Sequence, residues 1–207
     1  MTDAHRWAGR HVVVTGGTSG IGLAAARLLL DAGARVTAVA AADAGEPERL
    51  AAAIEAGRAA HGPAAALVTC AGLAGPGYRT GLTGADLRRH LEASYLGTVH
   101  AIRLTLPDLL RAQRASITCA APAAGFLGGT GAGARGPSKF AVGGLCEALR
   151  QGLRPRGITV TAFCPADADT SLAAARALLA GTAAGRALVS PGTDHAIAGA
   201  AASAARP

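Results

Sequence analysis

The apolar positions of this chain come in short dense blocks set off by glycine-rich turns. Residues 11 to 15, "HVVVT", form a β-branched run of buried-strand length, and the glycine turn "GGTSGIG" follows at once. From about 20 to 32 the apolar positions take a helical period, and a second strand pattern occupies 35 to 40. Strand, turn, helix and strand make one βαβ unit. Further on, residues 115 to 134 run without a charge, long enough for a membrane span by length alone. The run is rich in glycine and holds Pro122, with few large apolar side chains, so it reads as a buried strand leading into a glycine loop.

Composition narrows the picture. With 207 residues and 50% hydrophobic content the chain can bury one sizeable core, so residues 1–207 are expected to form a single domain. Only 3% of residues are aromatic, which makes the core depend on small side chains and close backbone approach. The net charge of +7 is carried almost wholly by arginine, scattered over expected helix surfaces (Arg27, Arg58, Arg88, Arg103, Arg150) without stacking aromatics, so no nucleic-acid partner is expected. An Ala/Gly/Arg-heavy, Lys-poor composition fits a GC-rich bacterial genome. Cys70, Cys119, Cys146 and Cys164 lack the paired spacing of a zinc or redox motif and are expected to be buried free thiols. The opening "MTDAHRWAGRH" is too polar for a secretory leader, and a cytoplasmic protein without a membrane span is expected.

The candidate chemistry begins at the first turn. Gly16, Gly20 and Gly22 fall where missing side chains let a diphosphate approach backbone N–H groups and a helix N-terminus, with Thr18 and Ser19 as hydroxyl donors. The same glycines would also serve a turn that only packs a helix on a strand. A second feature stands alone: Lys139 is the sole lysine among twenty Lys and Arg residues. An ammonium is a compact charge with rotatable donors that a guanidinium cannot copy.

"TGGTSGIG" resembles the T-G-x-x-x-G-x-G fingerprint of the short-chain dehydrogenase/reductase family. Further segments follow in that family's order: "LVTCAG" at 67–72 resembles its N-x-A-G strand end, "ASYLGTVHAIRLTLPDLL" its long central helix, "GPSKFAVGGLCEALRQGLRPRGITVTAFCP" its Y-x-x-x-K helix and next strand, and "DADTSL" its cofactor-clamping segment. "SYLGTVH", "SKFAVGGLCEAL" and "PADADT" look most like the 3-ketosphinganine (3-ketodihydrosphingosine) reductase branch. The resemblance implies an α/β fold, a Rossmann-like doubly wound parallel sheet with helices on both faces. It also implies NAD(P) as cofactor and a small-molecule ketone or secondary alcohol as substrate. Cofactor positions carried over are Gly16, Thr18, Ser19, Gly20, Ile21, Gly22, Ala71, Gly72, Lys139, Pro165 and Thr170. A homodimer through the long helices at about 85–110 and 137–152 is the family's habit.

The catalytic set departs from the family. Arg135 stands where the resemblance places the proton-donating tyrosine, Pro122 where it places serine, and Ser94 where it places asparagine; Lys139 alone is retained. A guanidinium does not release a proton near neutral pH, although Arg135 could polarise a carbonyl or hold an anion. The expectation is therefore an oxidoreductase-type protein with inefficient catalysis, or a cofactor-binding or interaction protein that has lost its chemistry. Tyr78, in a glycine-rich loop, is the candidate for a displaced acid, and Tyr95 reads as a helix-packing residue. At the end of the second strand Ala40 and Ala41 leave NAD versus NADP open; Asp43 could accept ribose hydroxyls or, with Glu46, Pro47 and Glu48, form a solvated helix start. Between Ala41 and the strand at 65–69 there is room for one helix, so one edge strand of the family is absent. After Thr170 "SLAAARALLAGTAAG" again offers one helix before the last strand, "ALVS", so the substrate lid is reduced.

Overall fold

The computed structural model describes residues 4–73, 81–121, 133–165 and 172–191. A four-residue helix α1 (Ala4–Trp7) precedes β1 (His11–Thr15), all five residues of which are buried, as an interior strand of a parallel sheet covered on both faces should be. Helix α2 (Gly20–Asp31) buries Gly22, Ala25, Ala26 and Leu29, spaced by three and four, and leads to β2 (Arg35–Val39). The interval expected to hold one helix holds a single turn, α3 (Ala41–Ala44), and then α4 (Pro47–His61) with Pro47 in its first turn. Strand β3 (Ala66–Thr69) follows.

Helix α5 (Gly84–His90) opens with a reciprocal cap between Thr83 and Asp86. It runs through a widened π-type turn at Leu91–Leu96 into α6 (Gly97–Leu109), so the long central helix is one rod with an irregular middle. Strand β4 (Ser116–Ala120), α7 (Arg135–Leu153), β5 (Thr159–Phe163), α8 (Leu172–Ala183) and β6 (Leu188–Val189) complete the described elements.

The six strands are all parallel, in the order β2-β1-β3-β4-β5-β6. β2 is an edge, as the loss of the family's outermost strand requires. Alternate residues of each strand feed opposite faces. Val13, Leu67, Ile117 and Val160 pack with Leu50 and Ile54 of α4, Ala101 and Leu109 of α6, and Val142 and Cys146 of α7. On the other face Val12, Val14, Val68 and Phe163 pack with Leu29 of α2 and Leu178 and Leu179 of α8, with Trp7 closing one end. The sheet is thus doubly wound. Because α2 and α4 leave on opposite faces, the chain parts between the C-terminal ends of β1 and β3, the position where open α/β sheets form a ligand crevice. No described helix is long and apolar enough to cross a membrane. All four cysteines are free, three of them buried.

Candidate functional site

A cleft of about 260 Å³ opens at the C-terminal ends of the strands. Gly16, Ser19, Gly20, Ile21 and Gly22 line it after β1, Ala41 after β2, and Cys70, Gly72 and Leu73 after β3; Ala120 of β4, Arg135 and Lys139 of α7, and Pro165 beyond β5 close it.

The turn after β1 is built on two contacts only glycine permits. Gly16 has φ +70°, and a Cβ there would stand 2.7 Å from the Ala71 nitrogen. A Cβ on Gly22 would stand 2.2 Å from the Gly16 carbonyl oxygen, so the first turn of α2 folds directly onto the glycine loop. The first intrahelical bond runs from Leu23 N to Ser19 O at 3.0 Å. The N–H groups of Gly20, Ile21 and Gly22 therefore precede the hydrogen-bonded ladder, at the positive end of the helix dipole. Ser19 is extended and makes no side-chain cap to α2, although it occupies the cap position. Thr18 is exposed and is not among the residues lining the cleft.

Lys139 reaches the cleft because it shares a helix face with core residues: positions 139, 142 and 146 are all buried. Its side chain is 5% exposed, and its Nζ donates to Ala120 O at 3.0 Å and Ala71 O at 3.4 Å. Ala71 thus contributes its carbonyl. Burial lowers the Lys139 pKa to about 8; the nearby charge of Arg135 lowers it too, while Cys70, Cys119 and Cys146 oppose the shift. Arg135, one turn earlier, lies on the same wall. Ser94 is fully buried in the widened turn, and its Oγ has no hydrogen-bond partner. Its carbonyl accepts from Thr98 Oγ1 at 2.8 Å. A Cβ on Gly72 would stand 3.1 Å from Lys139 Nζ and 3.2 Å from Ser94 Oγ, so these two side chains flank one small space at the end of β3.

Other expectations fall out differently. Asp43, in α3, pairs with Arg49 at 3.3 Å and is not among the lining residues. It belongs to α3 rather than to the helix start expected with Glu46, Pro47 and Glu48, which opens α4. Tyr95 is partly buried against the larger core cluster, as a packing residue. Pro122, Tyr78 and Thr170 lie outside the described residues. Two side chains near the site were given no part in it from the sequence. Cys70 lines the cleft, and burial pushes its thiol up to about 12. His90 is 8% exposed with an unpartnered Nδ1; burial and then Arg89 lower its pKa, and Arg135 acts on it too. Its spacing of one helical turn from Ser94 was the available signal.

Among known proteins, the family model for short chain dehydrogenase matches residues 10–61 and 38–178. A 3-dehydrosphinganine reductase of Danio rerio is 30% identical over 190 residues, covering 78% of this chain and 57% of that protein. The 3-ketodihydrosphingosine reductase of Bos taurus is 30% identical over 193 residues, with the same two coverages. Momilactone A synthase of Oryza sativa subsp. japonica is 31% identical over 200 residues, covering 84% and 72%. The chain thus spans little more than half of the sphinganine-type reductases it matches. Among solved structures, LigO of Sphingobium sp. strain SYK-6 superposes with a TM-score of 0.87 at 23% identity, covering 96% of this chain and 87% of that one. A double variant of a Serratia marcescens short-chain dehydrogenase/reductase gives 0.80 at 22%, covering 89% and 96%. At those identities the superpositions speak for the fold.

Proposed function

The chain belongs to the short-chain dehydrogenase family, and from that premise we propose that its cleft binds NAD(P) in an oxidoreductase-type protein for a ketone or secondary alcohol, with turnover held low by Arg135. The observation that carries the proposal is the convergence on one cleft of the glycine turn, the N-terminus of α2 and the sole lysine of the chain. The residues fit the cofactor. The close approach of Gly22 to Gly16 leaves the first N–H groups of α2 uncovered for a diphosphate, with Ser19 lining the cleft beside them. Lys139, with Ala71 and Gly72 at its tip, would hold ribose hydroxyls, and Pro165 and Thr170 would flank the nicotinamide. When bound, NAD(P)H supplies the hydride. The ketone-reducing relatives support a carbonyl substrate.

A proton must reach the carbonyl oxygen as hydride arrives, and at the family's tyrosine position this chain offers a guanidinium. That substitution favours a second reading, a catalytically silent cofactor-binding protein. Titrating NADPH fluorescence with protein tests binding: saturation in the micromolar to millimolar range is expected, and no saturable change would defeat the cofactor reading. Little carbonyl reduction is expected from the wild type on a ketone panel. Arg135→Tyr with Pro122→Ser is expected to raise it; ordinary enzyme rates in the wild type would overturn the assignment of Arg135 as the obstacle. The exposed apolar side chains Leu87, Leu96, Leu110 and Phe140 on α5 to α7 support a homodimer, which light scattering after size exclusion tests.

A further inference from the structure

Lys139 differs from a surface lysine in three ways that bear on its nucleophilicity. It is almost fully buried, yet it forms part of the cleft wall. Its Nζ is held by two neutral carbonyl oxygens, of Ala120 and Ala71. Among the described residues, the charged group acting on it is the cation Arg135; the others are the thiols Cys70, Cys119 and Cys146. Desolvation next to a second cation is the setting in which a lysine amine keeps its lone pair near neutral pH and attacks carbonyl carbon. A phenol at position 135 could have supplied an anion to hold the ammonium. Arginine does the opposite.

The space beside the amine is also suited to the step. The unpartnered, buried Ser94 Oγ flanks the same point over Gly72 as Lys139 Nζ. It can hydrogen-bond the oxygen that must leave as water. A cleft of about 260 Å³ admits a molecule of a few heavy atoms when no dinucleotide fills it.

We propose that Lys139 of the cofactor-free protein captures small aldehydes and unhindered ketones as an imine, a covalent carbonyl-binding activity separate from hydride transfer. The amine lone pair forms the C–N bond as the carbonyl π bond opens onto oxygen, and a proton passes from nitrogen to that oxygen. The carbinolamine hydroxyl then takes up a second proton from solvent and leaves as water as the C=N bond forms, and the resulting iminium returns that proton to solvent to give the imine. Nothing is oxidised or reduced, and hydrolysis reverses the sequence.

Because the chain has one lysine, the test is unambiguous. The wild-type protein is incubated with acetaldehyde and sodium cyanoborohydride at pH 7.5, and the ethylated peptides are mapped by mass spectrometry; the Met1 α-amine falls on a different peptide. With a pKa of about 8 the neutral amine is on the order of 100-fold more abundant than in an ordinary lysine. Lower basicity reduces intrinsic nucleophilicity, so ethylation of Lys139 at least about tenfold faster than Nα-acetyl-lysine amide is expected. A rate that levels off above about pH 8 is expected with it. Labelling no faster than the free amino acid amide, or seen only after urea is added, would overturn the inference. Saturating NADPH should slow the labelling if both readings hold. Fast labelling in a protein whose fluorescence titration shows no NADPH binding would sustain the imine and remove the cofactor reading.

Discussion

Replacing Lys139 by methionine, a side chain of similar length without the charge, should stabilise the cofactor-free protein near neutral pH while abolishing cofactor binding. A buried lysine whose folded pKa is about 8 against an ordinary 10.5 binds fewer protons folded than unfolded between those values. Its burial therefore costs most below pH 8, and the cost fades as pH rises towards 10.5. At pH 7 the difference of two to three units corresponds to about 3 kcal/mol, and Lys139 is 5% exposed, so solvent screening does little to reduce it. Methionine gives up the bonds to Ala120 O and Ala71 O, which offsets roughly 1–2 kcal/mol of the gain at every pH.

The pH dependence is the sharper observable, because the lost hydrogen bonds and every other titrating group cancel in it. Urea unfolding of wild type and variant at pH 7 and pH 9.5 should show the variant's advantage shrinking by about 2 kcal/mol as pH rises. A constant difference across that range would refute the claim that the Lys139 ammonium is penalised by burial. A difference that grew with pH would refute its sign.

Two further substitutions probe the glycine turn of the cleft and a buried carboxylate at the other end of the sheet. Gly22→Ala puts a Cβ 2.2 Å from Gly16 O and should lower stability by about 1–3 kcal/mol and NADPH affinity at least about tenfold; unchanged unfolding and titration curves would show that the turn yields freely. Asp108→Asn removes the charge that, 4% exposed, accepts from Arg58 Nε at 2.9 Å and from Ala64 N at 3.2 Å, and should cost about 1–3 kcal/mol by calorimetry.

How much of this could be read from the sequence follows from which signals are local. The βαβ opening was legible nearly to the residue, 11–15, about 20–32 and 35–40 against His11–Thr15, Gly20–Asp31 and Arg35–Val39, because β-branched runs and helical spacing are short-range patterns. The break between α3 and α4 was missed although Pro47 marks a helix start, because an alanine-rich stretch has little apolar contrast to show an interruption. Thr18 and Ser19 are neighbours of the same chemistry, yet only Ser19 lines the cleft; the direction of each side chain in a tight turn is set by dihedral angles that residue type does not report.

Lys139 shows where reading from sequence stops and geometry begins. Its uniqueness was visible and suggested a function, but its burial was not, since lysine is ordinarily a surface residue. Burial follows from the spacing of 139, 142 and 146 on a helix laid over the ends of β3 and β4, where the nearest acceptors are the carbonyls of Ala71 and Ala120. The consequence of Arg135 changes with that placement. On an exposed helix face, two cations one turn apart would be screened by water and of little effect. Beside a buried amine, the same arginine stands where the resemblance places the family's proton donor and at the same time favours the neutral form of the lysine. On the two proposals together, one substitution would weaken the acid chemistry of the cleft and raise the share of neutral amine beside it, which is why the cofactor titration and the imine trap have to be run on the same protein.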